Sequence, residues 1–150
     1  FSISKTFSVH ATAEDSLCQT ERLEIDLMDD KGFADNKQFI GKVELRKVAV
    51  TVVNPKTDAS SIAKLGNGKV RIAEAADGQA IELGTYGDVP IETGSTKDIV
   101  YDKTTAATLS NLALKSPNVF FLEAEGCNDA NPAFYTFKVD LTFYAEAKLF

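Results

Sequence analysis

Residues able to do chemistry are few and widely spaced. His10 is the only histidine of this 150-residue chain, and Cys18 and Cys127 are its only cysteines. A zinc site built on these three lacks the close ligand pairs such sites use and needs a fourth group. As a general acid or base, His10 has no complementary nucleophile motif near it in sequence. Ser61-Ile-Ala-Lys64 and Ser2-Ile-Ser-Lys5 both match the Ser-x-x-Lys pattern, in which a lysine one helical turn away activates a serine. A pattern met twice in so short a chain is cheap, and its usual companions, S-D-N and K-T-G, are missing. The chain also lacks a G-x-S-x-G elbow, a P-loop and an H-E-x-x-H pair. We expect no catalytic residue and no cofactor.

Oxygen ligands gather at Asp26, Asp29, Asp30, Asp35 and Asn36 around Gly32. Counted from Asp26, the third position is Met28 and the sixth is Lys31, where a calcium loop wants an oxygen ligand and a glycine. The stretch reads as a solvated turn without metal. Binding candidates are Tyr86 with Asp88, in a segment flanked by Gly84 and Gly87, and Asn128 with Asp129 beside Cys127. Tyr86 is either an exposed ring for stacking on a sugar or peptide, or a ring packed over a sheet edge. With no tryptophan and four tyrosines, a carbohydrate platform is thin.

The elements that must carry these residues are mostly strands. Phe1, Ile3, Phe7, Val9 and Ala11 alternate with Ser2, Ser4, Thr6, Ser8 and His10, so His10 belongs to a solvent-facing, serine-rich face. Lys5 interrupts the apolar side. Leu23, Ile25 and Leu27 mark a second strand. Over 43–53 the apolar side switches near Lys47, from Val43 and Leu45 to Val48, Val50 and Val52, which predicts a β-bulge there. Residues 69–75 and 79–83 read as a hairpin across Ala76-Asp77-Gly78. A short strand over 98–101 precedes one helix near 102–116. Asp102 is its N-cap, Ala106, Leu109, Leu112 and Ala113 share its inner face, and Pro117 forbids continuation. Residues 119–124 and 134–149 close the chain as a hairpin around Cys127, and the second run is long enough to predict a bend or a crossing between sheets.

This pattern predicts a single domain: an antiparallel β-sandwich of about seven to eight strands with one helix, immunoglobulin-like in its layers. Without tryptophan, the Cys…Trp…Cys pattern of a true immunoglobulin domain is excluded. The net charge of -6 and the pI of about 4.8 argue against nucleic acid and anionic membrane surfaces as partners. Apolar runs of a few residues are far short of a membrane span. The chain opens at Phe1 with Met28 as its only methionine, and we read this as a leader or tag removed upstream. No asparagine carries the N-x-[ST] pattern, which tilts the expected compartment toward a bacterial envelope.

Two cysteines in an exported chain tend to pair. Cys18, between strands one and two, and Cys127, in the closing loop, meet if both loops lie at one end of the sandwich. Gly126, Asn128, Asp129 and Asn131 then act as turn formers, and Pro132 starts the last strand. The alternative is two free thiols, with Cys127 reactive.

The order of "IDL" at 25–27, "VELRKVAVTVVN" at 43–54, the helix "TTAATLSNLALKS" and the closing "VFFLEAEGCNDANPAFYTFKVDLTF" resembles exported, lipoprotein-like β-sandwich proteins of uncharacterised function from Bacteroidetes-type bacteria. The resemblance implies a location in the periplasm, at the cell surface or outside the cell. It is compatible with a lipid anchor upstream of Phe1 and supplies no catalytic residue. The expected function is adhesion, assembly or scaffolding through a protein or glycan partner. A carbohydrate or small-ligand binding module is the alternative, and a small hydrolase the least supported class.

Overall fold

The computed structural model describes residues 1–54, 64–90, 92 and 94–148, with backbone alone at 64, 65 and 67. Ser61 and the side chain of Lys64 in the Ser-x-x-Lys match, and Leu149, therefore lie outside what is described. In chain order the strands are β1 (Ser2–Ala11), β2 (Cys18–Asp26), β3 (Ile40–Asn54), β4 (Lys64–Ala73), β5 (Ile81–Tyr86), β6 (Val89–Pro90), β7 (Thr96–Asp98), β8 (Val100–Tyr101), β9 (Val119–Asn128) and β10 (Ala133–Ala147). One sheet has the order β1-β10-β3-β7; the other runs β2-β9-β4-β5-β8, with β6 also paired to β4. Every pairing is antiparallel. The chain is an antiparallel β-sandwich, as its alternation predicts, with ten strands among the described residues where the sequence reading expected about seven to eight.

Between the sheets lies one apolar core. The first sheet contributes Phe7, Val9, Val50, Phe137, Val139 and Leu141; the second contributes Ile25, Val70, Ile72, Leu83, Phe120 and Leu122. Leu122 is fully buried, so truncating it to alanine removes about 2–5 kcal/mol through lost transfer energy and a residual cavity. The bulge predicted near Lys47 is present. Lys47 pairs with Thr142 and Leu45 with Phe143, which leaves Arg46 unmatched and turns Val48, Val50 and Val52 inward. The hairpin across Ala76-Asp77-Gly78 also forms, between β4 and β5.

Four expectations are corrected. The strand over 98–101 is two strands: β7 pairs with β3 and β8 with β5, while buried Ile99 between them carries the chain from one sheet to the other. The closing segment is no hairpin, because β9 and β10 belong to different sheets. β10 itself stays in one sheet, and its length is accommodated by register shifts against β3. The polar stretch 26–36 is helical rather than a solvated turn. A 3-10 turn (Leu27–Asp29) leads into helix α1 (Lys31–Asn36), whose Phe33 is buried against Phe1 at a ring separation of 5.5 Å.

Helix α2 (Lys103–Leu114) starts as read: the Asp102 side chain accepts from the Thr105 N–H, and Ala106, Leu109 and Ala113 are buried. α2 packs on β3, β5 and β9 and so closes one lateral side of the sandwich. Tyr101 reinforces that closure by donating its hydroxyl to the Leu45 carbonyl, 3.2 Å away. On the opposite lateral side β1 and β2 form the outermost strands of the two sheets, and the Phe33 ring of α1 reaches Phe1 just ahead of β1.

Candidate functional site

The open side is defined by hydrogen-bond parity. The Phe1 N–H groups donate to the Phe143 carbonyl and the Phe143 N–H returns to the Phe1 carbonyl, so odd positions of β1 make the paired bonds with β10. Ser2, Ser4, Thr6, Ser8 and His10 therefore turn their N–H and C=O groups to the free margin. Ser8 shows it directly: its N–H donates across the gap to Glu21 Oε2 of β2, 3.3 Å away. Beneath that bridge is a cavity of about 230 Å³, floored by Phe7, Val9, Ala124 and Phe137 and rimmed by Gln19 and Glu21. It is below the roughly 300–1,000 Å³ of usual small-molecule sites.

β1 has none of the ordinary protections on its outer face. It is ten residues long, unbulged against β10, free of proline, and shows only hydroxyls and His10 to solvent. Its one charge, Lys5, points to the inner side and is half-buried. Edge strands are usually blunted by charge, proline or bulges because bare N–H and C=O groups template pairing with another chain.

His10 lies on the exposed side of β1, as read, with its ring 4.6 Å from that of Phe134. Cys18 and Cys127 are disulfide-bonded, which takes both thiols out of zinc ligation and nucleophilic chemistry. Their positions correct the expectation of two loops. Both sit in strands, as direct cross-strand partners of β2 and β9 with Cα atoms 4.0 Å apart. Gly126 is likewise within β9, opposite Gln19, rather than in a turn.

The two crossovers, 12–17 and 129–132, do meet at one end. Asn131 Nδ2 donates to the carbonyls of Asp15 and Ser16 at 2.9 and 3.1 Å, and the Asn128 N–H donates to the Leu17 carbonyl at 2.7 Å. Asn128 is buried, its Oδ1 accepting from the Tyr135 hydroxyl at 2.9 Å and its Nδ2 donating to Asn131 at 3.0 Å. It is a structural bracket and not a ligand contact, while Asp129 beside it is exposed. Burial, with the Tyr86 and Asp129 charges behind it, pushes the Tyr135 phenol well above its ordinary range.

Tyr86 is not an exposed stacking platform. It is 4 % exposed, its hydroxyl donates to the Glu125 carbonyl at 3.1 Å, and burial followed by the nearby Glu125 charge raises its pKa strongly. Its ring lies so close over Gly68 that a Cβ there would sit 1.8 Å from a ring carbon. Asp88 is exposed, and its carboxylate overhangs Gly66. None of Tyr86, Asp88, Asn128 and Asp129 lines the cavity under Ser8.

The acidic residues of 26–36 serve the backbone. Asp26 accepts from the Met28 N–H at 2.9 Å and Asp30 from the Phe33 N–H at 2.8 Å, while Asp35 pairs with Lys31. In the Ser2–Lys5 match the spacing places the two residues on opposite faces of a strand, with Ser2 Oγ beside Thr142 Oγ1 at 3.2 Å.

Sequence reading missed an ionic cluster on the outside of the second sheet. Arg22 donates to the carbonyls of Ala75, Ala76 and Gly78 and pairs with Glu123; Arg71 bridges Glu123 and Glu125. The four residues alternate with the apolar positions of β2, β4 and β9, a signal that becomes readable only once those strands are known to be neighbours.

No protein-family model matches the chain, and no curated protein matches it. Solved structures that resemble it include virus particles. Desmodium yellow mottle tymovirus is 11% identical at a TM-score of 0.34, over 99% of this chain and 89% of that one. The naturally empty top component of cowpea mosaic virus is 12% identical at 0.35, over 100% and 89%. Turnip yellow mosaic virus is 12% identical at 0.28, over 100% and 96%. Likeness this distant carries no functional weight, and the fold assignment rests on the sheets described above.

Proposed function

We propose that the chain is a non-enzymatic assembly or adhesion domain of an exported protein, and that it recognises its partner through the open side between β1 and β2. The observation that carries this reading is the margin of β1, which pairs with no strand but β10 among the described residues: five residues turn N–H and C=O groups outward over an apolar cleft, with the Ser8 N–H taken by Glu21, opposite a side closed by α2. Strand addition at such a margin takes its affinity from main-chain hydrogen bonds and its selectivity from alternate side chains.

The non-enzymatic part is supported by where the perturbed groups sit. The phenols of Tyr86 and Tyr135 are raised by burial within structural hydrogen bonds, and the carboxyl of Asp102 is lowered by the Thr105 N–H it caps. Catalytic sites instead gather perturbed groups in a cleft. Export is supported by the disulfide, a bond that persists in oxidising compartments, and no described helix is long and apolar enough to cross a membrane. An envelope location and affiliation with the lipoprotein-like sandwiches belong to the same proposal. The small cleft and the buried Tyr86 favour a protein partner over a sugar.

The test is an NMR titration of the isotope-labelled domain with a panel of extended peptides. Amide shifts confined to residues 2–10 and the facing 18–21 support the reading; shifts centred elsewhere, or none with any peptide at a concentration where the chain is monomeric, overturn it.

A further inference from the structure

Resting on that reading of the open side, we propose that the partner which fits β1 is a second copy of this chain, paired antiparallel through β1 about a twofold axis at Thr6. Register arithmetic selects the axis. The outward positions are Ser2, Ser4, Thr6, Ser8 and His10, so centring on Thr6 matches Thr6 with itself, Ser4 with Ser8 and Ser2 with His10, using all five. Centring on Ser4 or Ser8 leaves outward groups unmatched. Each matched pair exchanges two N–H···O=C bonds, and the sheet becomes continuous across both copies. No like charges oppose one another on the outer face, since only hydroxyls and one imidazole are there.

Charge complementarity fixes the same register from the inner side. Within one chain, Lys5 and Glu21 make no ion pair with each other among the described residues; Glu21 caps the Ser8 N–H instead. In the Thr6-centred pair, the partner's Lys5 falls opposite Phe7, one residue from Ser8. The carbonyl of the partner's Ser4 takes over the Ser8 N–H, and the displaced Glu21 carboxylate meets the ammonium of the partner's Lys5. By symmetry this happens twice. An inward lysine on an edge strand ordinarily deters pairing; here it deters every register except the one that supplies its counter-ion.

Sedimentation velocity over micromolar to millimolar protein reads the outcome, with circular dichroism confirming that each variant is folded. The native chain is expected to dimerise. Thr6→Pro removes both central donors, at a position where an edge strand tolerates proline, and should weaken the dimer roughly thirtyfold. K5E should also weaken it, and adding E21K should restore it, which a lost fold would not do. A chain monomeric throughout, or a dimer indifferent to Thr6→Pro and K5E, overturns self-pairing. If the chain stays monomeric while peptides still shift the amides of β1, only self-pairing falls; if peptides fail as well, the open-side reading falls with it.

Discussion

Cys18 and Cys127, 109 residues apart in sequence, are directly paired across β2 and β9 with 4.0 Å between their Cα atoms. The bond closes most of the chain, though not β1 or β10, into a loop, and loops of about this length gain up to about 4.7 kcal/mol in the chain-entropy model. Reduction, or the double substitution Cys18→Ser with Cys127→Ser, should lower unfolding free energy by about 2–5 kcal/mol. Urea unfolding with and without reductant measures it. An unchanged midpoint would refute that contribution.

Gly68 is required by Tyr86. A methyl group at position 68 must displace the ring, whose hydroxyl is tied to Glu125. Gly68→Ala should therefore destabilise by about 1–3 kcal/mol, the usual range for overpacking. Gly87→Ala is the control, since nothing lies within 4 Å of a Cβ built there. Equal midpoints for the two variants in thermal unfolding would refute the close approach.

Alkaline pH should attack the two buried phenols. Their folded-state pKa values lie above the ordinary 10.0, so the stability they contribute is complete below pH 10.0 and is lost as pH rises past it toward the folded values. Between pH 9 and about pH 11, the urea midpoint of the native chain should fall further than that of Tyr86→Phe/Tyr135→Phe, although the variant begins lower for lack of two hydrogen bonds. Parallel curves would rule out a contribution from the two phenols.

Alternation made the strands legible, down to the bulge at Arg46, because one unmatched residue must flip every side chain after it. The cap at Asp102 and the stop before Pro117 were equally local and equally readable. What stayed hidden depends on which strands are neighbours. Ile99 is one apolar residue in a run of strand formers, and nothing local says that the residues on its two sides join different sheets. The glycine flanks of Tyr86 left an exposed ring and a ring packed over a sheet edge both open, and the glycine that admits the packed ring is Gly68, on the adjacent strand. Asp26 and Asp30 look alike in a solvated turn and in capped helical turns, and the choice is made by the burial of Leu27 and Phe33. For the open side, the polar face of β1 was visible in sequence, but its standing as a margin was not.

The disulfide also decides how the domain carries tension. A pull applied at Phe1 and Lys148 runs through β1 to Cys18, crosses the sulfur–sulfur bond to Cys127 and leaves through β10. Everything between the two cysteines, including α1, α2 and β3 to β8, is bypassed by the load. The elements outside the covalent ring are β1 and β10, and these are hydrogen-bonded to each other. Stretched by its ends, the domain can surrender β1 and β10, with the two ladders that join β10 to β1 and to β3, whereas the elements inside the covalent ring cannot be drawn out while the bond holds.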